Sequence, residues 1–540
     1  MFSLIYMGEP GSYLDDFLNL PVHTNMKLDP PTLSVADPVS ALVDVMVKEN
    51  IGAVVAVEDG RPVGIVTERD VLERVIKPHR DFELTLVGDV MSTPLLTIDA
   101  GRTIGDALEI MRRHDIRRLV VVEDGTLLGL TTERRLLEVA HTSYVAMTYD
   151  RGKRALTEDQ GKLKAAFVST YPPRECGIAT YTSDLVDAID NLHVLRSPAI
   201  VAINDRGGHY NYASEVMIQM DRERPEAYVE AAEAINYSDI DVVNLQHEYG
   251  LFGGVWGEYV LTFLERLEKP VVTTLHTVLQ EPVPDARRVL RGVIERSDYV
   301  VVMARVGKLI LEQMYDTFAD QVRYIPHGCP NVPFMSNETV KPHLGLKGRV
   351  VLSTFGLISR GKGIEYAIEA MPEIVKEEPR ALYLVIGETH PEVRKHEGEE
   401  YRESLLNRVE SLGLEGNVWF VNRFLEKDEL IRYLQATDIY VIPYPNREQI
   451  SSGTLSYALS TGKAIVSTPF LHAGEVISDG CAIECGFRDP ASIADSVKTL
   501  LQYEDVQRKF EQRAYRYSRD KIWPTVAMQY VNLFYETLGL

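Results

Sequence analysis

Residues 350–363 read VVLSTFGLISRGKG. The first six are a short run rich in β-branched and apolar residues, the pattern of a buried strand. The next eight carry three glycines, an arginine and a lysine. A strand that runs into a glycine-rich basic loop predicts a parallel α/β sheet with a ligand beyond the strand's carboxyl end. The same pattern recurs on both sides. Upstream, strands are expected at Ala165–Thr170, Ile240–Leu245, Val271–Leu275 and Tyr299–Met303, with an amphipathic helix at Tyr181–Leu192. Downstream they are expected at Ala381–Ile386, Val418–Val421, Ile439–Pro443 and Ala464–Ser467. Helices alternate with them, so this region reads as two doubly wound α/β halves.

The loops after these strands hold the informative residues. The first contains Arg174-Glu-Cys-Gly177, a glycine turn where backbone can approach a ligand closely. Two later strands end in Leu245-Gln-His247 and Thr274-Leu-His276, and Ile325-Pro-His327-Gly follows further on. Lys362 lies six residues after Gly356, with Arg360 beside it. The segment 448–462, EQISSGTLSYALSTG, ends the series; Gly453-Thr454 is expected to open a helix whose free N–H groups suit a pyrophosphate.

These motifs resemble the GT-B glycosyltransferases, specifically retaining family 4, over about residues 163–540. The segment around Tyr457-Ala-Leu resembles the glycogen-synthase variant of the donor motif. The resemblance implies that Lys362 and Arg360 hold the phosphates of a nucleoside-diphosphate sugar, where a cation offsets charge developing on the leaving group. It places Gly453 and Thr454 at the pyrophosphate and Tyr457 near the ribose. Donor sugar hydroxyls fall to Glu448 or Gln449, whose register stays open. His276, preferred over His247, and the loop from Arg174 to Gly177 would close the site. Leu357 stands where the family has an arginine.

Residues 50–75 and 115–140 repeat at an offset of 65, with Glu58-Asp59-Gly60 matching Glu123-Asp124-Gly125. Each copy reads as a helix (Val39–Lys48; Ile104–Arg113), a β-branched run, an Asp-Gly hairpin turn, a second run and another helix. This β-β-α repeat resembles the CBS domain pair. That resemblance implies an adenosine nucleotide (AMP, ADP or ATP) bound by Thr67 and Asp70 of the first copy. The second copy keeps Thr132 but has Arg135 at the aspartate position. The alternative is a pair that only dimerises.

The chain has 540 residues and a net charge of −22, which disfavours binding to nucleic acid. Four cysteines do not make a disulfide framework, so a cytoplasmic location is expected. No run of apolar residues is long enough to span a membrane. No metal site stands out: Asp239-Ile-Asp241 has Asp-x-Asp spacing but sits at a strand's start, away from any ligand. The expected divisions are an extension (1–26), the CBS pair (27–145), a linker (146–163), an acceptor-side half (164–338), a nucleotide-sugar half (339–520) and a helix crossing back (521–540). The expected activity is metal-independent, retaining transfer of a hexosyl group to a carbohydrate or small polyol, with no cofactor required, in a homo-oligomer formed through the CBS pair. The alternatives are a glycoside phosphorylase and a degenerate nucleotide-binding scaffold.

Overall fold

The computed structural model describes residues 18–19, 21–28, 30–48, 51–114, 116–132, 136, 162–315 and 317–540. The chain divides into two compact units, residues 1–158 and 159–540.

In the first unit, β1 (Lys27–Leu28) precedes two copies of one motif. The first copy runs β2 (Thr32–Ser34), helix Val39–Lys48, β3 (Ala53–Glu58), β4 (Arg61–Thr67) and a short helix from Glu68. The second runs β5 (Thr97–Asp99), helix Ile104–Arg113, β6 (Arg118–Glu123) and β7 (Thr126–Thr132). The hairpin turns have both central residues at positive φ, Asp59 and Gly60 (48° and 76°) and Asp124 and Gly125 (49° and 77°). That conformation matches the twist of the flanking strands. Each copy also opens with a three-residue strand, parallel to the next, which the sequence pattern did not reveal. The sheets are ordered β2-β3-β4 and β1-β7-β6-β5. Val22, fully buried, packs in the second copy's core with Ile98, Ile104 and Leu119. The helix expected to close the second copy falls, apart from Leu136, outside the described residues, as does nearly all of the expected linker.

The second unit holds two all-parallel sheets. The first comprises β8 (Lys164–Ser169), β9 (Arg196–Asn204), β10 (Val216–Asp221), β11 (Val242–His247), β12 (Val271–Leu275), β13 (Tyr299–Val302) and β14 (Val322–Tyr324). The second comprises β15 (Val350–Phe355), β16 (Ala381–Ile386), β17 (Val418–Val421), β18 (Ile439–Ile442), β19 (Ala464–Ser467) and β20 (Ile483–Glu484). Their orders are β10-β9-β8-β11-β12-β13-β14 and β17-β16-β15-β18-β19-β20. Strand order reverses between β8 and β11 and between β15 and β18, and a crevice at the carboxyl ends opens at such points.

Helix Trp523–Thr537 returns to the first half. Phe534 packs edge-on against Phe167 of β8, and the Tyr530 hydroxyl lies 3.0 Å from that of Tyr181 and 2.9 Å from Thr274 Oγ1. Burying each of these rings contributes about 2 kcal/mol.

Candidate active site

The loops after β12, β14, β15 and β18 meet between the two halves. Ser451 Oγ donates to the His276 carbonyl at 3.1 Å, and a Cβ built on Gly453 would lie 3.1 Å from His327 Nε2.

The chain leaves β15 through Gly356, whose φ of 130° suits glycine alone. A Cβ there would lie 3.3 Å from Lys362 Nζ and 3.5 Å from Thr454 Cγ2. Lys362 ends the single turn Arg360–Lys362, and Gly363 then turns into helix Ile364–Glu377. Lys362 Nζ donates to Tyr444 Oη at 2.7 Å and sits 4.5 Å from that ring's centroid. Tyr444 Oη is also 2.7 Å from Thr454 Oγ1. Burial pushes the Tyr444 phenol up, but Lys362 and the hydrogen bonds from Lys362 and Thr454 outweigh it and hold the pKa below its ordinary value.

Helix Gly453–Ser460 starts beside this cluster. Ser452 Oγ accepts from Leu455 N, and Ser452 N donates to His472 Nδ1 at 3.1 Å. That bond requires a lone pair on Nδ1, and burial pushes the His472 pKa down to about 3.

In the first half, His276 is 9% exposed, with Nε2 2.7 Å from Gln246 Oε1 and its ring edge-on to Tyr181 at 5.0 Å. Burial, reinforced by His327 and His247, pushes its pKa down to about 3. His327 Nδ1 contacts the Gly328 carbonyl at 2.7 Å. His247 is fully buried, stacked on Phe252, and neither ring nitrogen has a partner; burial lowers its pKa to about 4. Helix Gly177–Asp190 starts four residues before the expected position. A Cβ at Gly177 would meet nothing within 4 Å, so its backbone is open.

Two residues expected at the donor make contacts within the protein. Arg174 is tied within its own half, to Asp205 at 2.8 Å and the Ile203 carbonyl at 3.1 Å. Tyr457 is buried, and its hydroxyl donates to Asp184 Oδ2 at 2.8 Å, while Asp184 Oδ1 accepts from Lys427 Nζ at 2.6 Å. Tyr457 therefore bridges the halves. Arg360 stands outside the Lys362 cluster; its side chain is 57% exposed and faces Glu397, Glu400 and the Tyr401 ring. Gln449 Nε2 donates to Ser451 O at 3.0 Å, and Glu448 is half-buried.

In the first unit, Asp70 and Thr67 bond each other. Asp70 Oδ2 accepts from Thr67 N at 2.8 Å and Thr67 Oγ1 at 2.6 Å, and Oδ1 faces Ser92 Oγ and Arg74. The carboxylate caps its own helix, so Asp70→Ala is expected to lower the first unit's stability by about 1–2 kcal/mol. Calorimetric melting of the full chain checks this. Thr132 ends β7, and Arg135 lies outside the described residues.

Tyr444, His472, Asp184 and Gln246 were not singled out from sequence. Tyr444, two residues past β18, and Gln246, next to last in β11, carried one signal, their position at a strand's carboxyl end. Among the described residues, no cluster of His, Cys, Asp or Glu is arranged to hold a metal, and no helix is long and apolar enough to cross a membrane.

Residues 336–517 match the family model for glycosyl transferases group 1, and residues 22–77 and 87–142 each match the CBS domain. The CBS domain-containing protein YhcV of Bacillus subtilis is 33% identical over 109 residues, 20% of this chain and 77% of YhcV. The chain belongs to the CBS domain-containing proteins, and it joins that pair to a group 1 glycosyltransferase domain of GT-B fold. D-inositol 3-phosphate glycosyltransferase of Corynebacterium efficiens is 24% identical over 292 residues, 49% of this chain and 66% of that one. Sucrose-phosphate synthase of Thermosynechococcus elongatus superposes with a TM-score of 0.58 at 17% identity, over 70% of this chain and 100% of that one, a likeness of fold alone. The chain spans 58% of the length of two other curated relatives, uncharacterized proteins of Methanocaldococcus jannaschii and Methanopyrus kandleri.

Proposed function

We propose that the second unit transfers a hexosyl group from a nucleoside-diphosphate sugar to an acceptor hydroxyl, with retention of configuration and without a metal. The observation that carries this reading is the Lys362–Tyr444–Thr454 cluster at the start of helix Gly453–Ser460. A cation and a helix N-terminus together suit a departing diphosphate. Glu448 or Gln449 holds sugar hydroxyls, Arg360 swings from its glutamates to assist, and His276 and the Gly177 turn close the site. A thermal-shift panel of ADP, GDP and UDP sugars tests this. One donor is expected to raise the second unit's melting temperature by mass action. A panel without any shift counts against the reading.

The first unit, on this reading, binds AMP, ADP or ATP at Thr67, Asp70 and Thr132 and regulates transfer. Asp70 then exchanges a capping bond for a ribose hydroxyl. The pair also makes the protein a homo-oligomer, which solution mass measurement checks. A cytoplasmic location is part of this reading.

A further inference from the structure

Strand β11 carries two amides, Asn244 and Gln246, on one face in the core of a parallel sheet, both fully buried. Burying an amide is costly unless it is hydrogen-bonded, and here every bond has a forced direction. The Val272 carbonyl of β12 only accepts, so the group facing it at 3.1 Å is Asn244 Nδ2. Asn244 Oδ1 then faces Gln246, which must present Nε2 to it, at 2.5 Å. That leaves Gln246 Oε1, an acceptor, against His276 Nε2 at 2.7 Å. A ring nitrogen facing an acceptor must carry the proton.

We propose that Gln246, oriented by Asn244 and the Val272 carbonyl, is a positioning residue that fixes His276 as the Nε2–H tautomer and leaves Nδ1 as a hydrogen-bond acceptor for a sugar hydroxyl. The second clause rests on the proposed transfer reading; the first does not. The ring's orientation is held from another side by Tyr181, whose hydroxyl is anchored through Tyr530 to Thr274. The titratable groups acting on His276 are His247 from β11 and His327 from the loop after β14; Tyr181 packs on it from helix Gly177–Asp190, and none of these is a carboxylate. With burial, this environment keeps the ring neutral, so the tautomer and not the charge is what the amide relay decides.

Histidine-selective nitrogen NMR of the full chain, with His276→Gln to assign the resonance, reads the tautomer directly. It is expected to show Nε2–H at His276, unchanged across roughly pH 5–8. Gln246→Glu supplies the kinetic arm. A carboxylate beside the ring raises its pKa from about 3 toward about 6, so that Nδ1 is protonated at mildly acid pH. Turnover is expected to fall about tenfold at pH 5 and to recover by about pH 7, whereas Gln246→Leu loses about tenfold at every pH. A purely structural role for Gln246 would leave the pH profile unmoved. An Nδ1–H tautomer in the native chain, or a Gln246→Glu profile superimposable on the native one, overturns the proposal. A chain with Nε2–H at His276 but no transfer with any donor overturns the functional reading and leaves the relay standing.

Discussion

Lys362→Ala is expected to lower kcat for transfer by about 10²–10³-fold while leaving the second unit folded. The size follows from the geometry. Lys362 is the cation in contact with Tyr444, which in turn reaches Thr454 at the start of helix Gly453–Ser460. Its ammonium makes one hydrogen bond and one ring contact, both to Tyr444, so deletion costs folding only about 1 kcal/mol. Negative charge that develops on a departing diphosphate would lose its nearest fixed counter-charge. Arg360, which must leave Glu397 and Glu400 to assist, replaces the lost charge only in part. Donor binding followed by thermal shift and turnover with the same donor separate the two effects. Near-native turnover in the variant would remove Lys362 from the site.

The second large effect is acid sensitivity of the second unit. His247, His276 and His472 have folded pKa values of about 4, 3 and 3, against 6.5 for an exposed ring. Between about pH 6.5 and 4 the unfolded chain therefore binds protons that the folded chain does not. Stability is fully present above 6.5 and falls as pH drops through that window, by about 1.4 kcal/mol per pH unit for each ring. Buried carboxyls with raised values, such as Glu248 and Glu511, act in the opposite sense at the acid end. A single-site difference isolates the histidine contribution. His247→Phe retains an aromatic ring against Phe252 and removes two unpartnered nitrogens. Denaturant unfolding at pH 7 and pH 5 is expected to show the variant losing about 2 kcal/mol less than the native chain. Equal losses in the two proteins would show that His247 titrates normally.

What the sequence disclosed depended on whether the cause was local. Helices Val39–Lys48 and Ile104–Arg113 and strands Val350–Phe355, Ala381–Ile386 and Val418–Val421 were readable to the residue, because spacing and β-branching act within a few positions. Strands Thr32–Ser34 and Thr97–Asp99 were not, since three residues are too few to show a period. Strand Arg196–Asn204 contains Pro198, which weakens the signal of a run that nonetheless lies inside the sheet. The Lys362 loop and the Gly453-Thr454 turn stood out as motifs because each is contiguous in sequence. The contact of Tyr457 with Asp184 was not legible, because the two lie 273 residues apart. Tyr444 and Gln246 look like ordinary strand and post-strand residues until the fold brings Lys362 and His276 against them.

The helix Trp523–Thr537 has a consequence for biosynthesis. The hydroxyls of Tyr181 and Tyr530 meet across 349 residues of chain. At roughly 5–20 residues per second, the first half waits on the order of tens of seconds during translation before the helix that covers Phe167 and Tyr181 has been made. Throughout that interval its sheet is complete while an apolar strip stays uncovered, a surface that a chaperone or a neighbouring nascent chain meets first. The order of synthesis thus makes the first half dependent on the second: it acquires its last core helix only after the whole second half has been made.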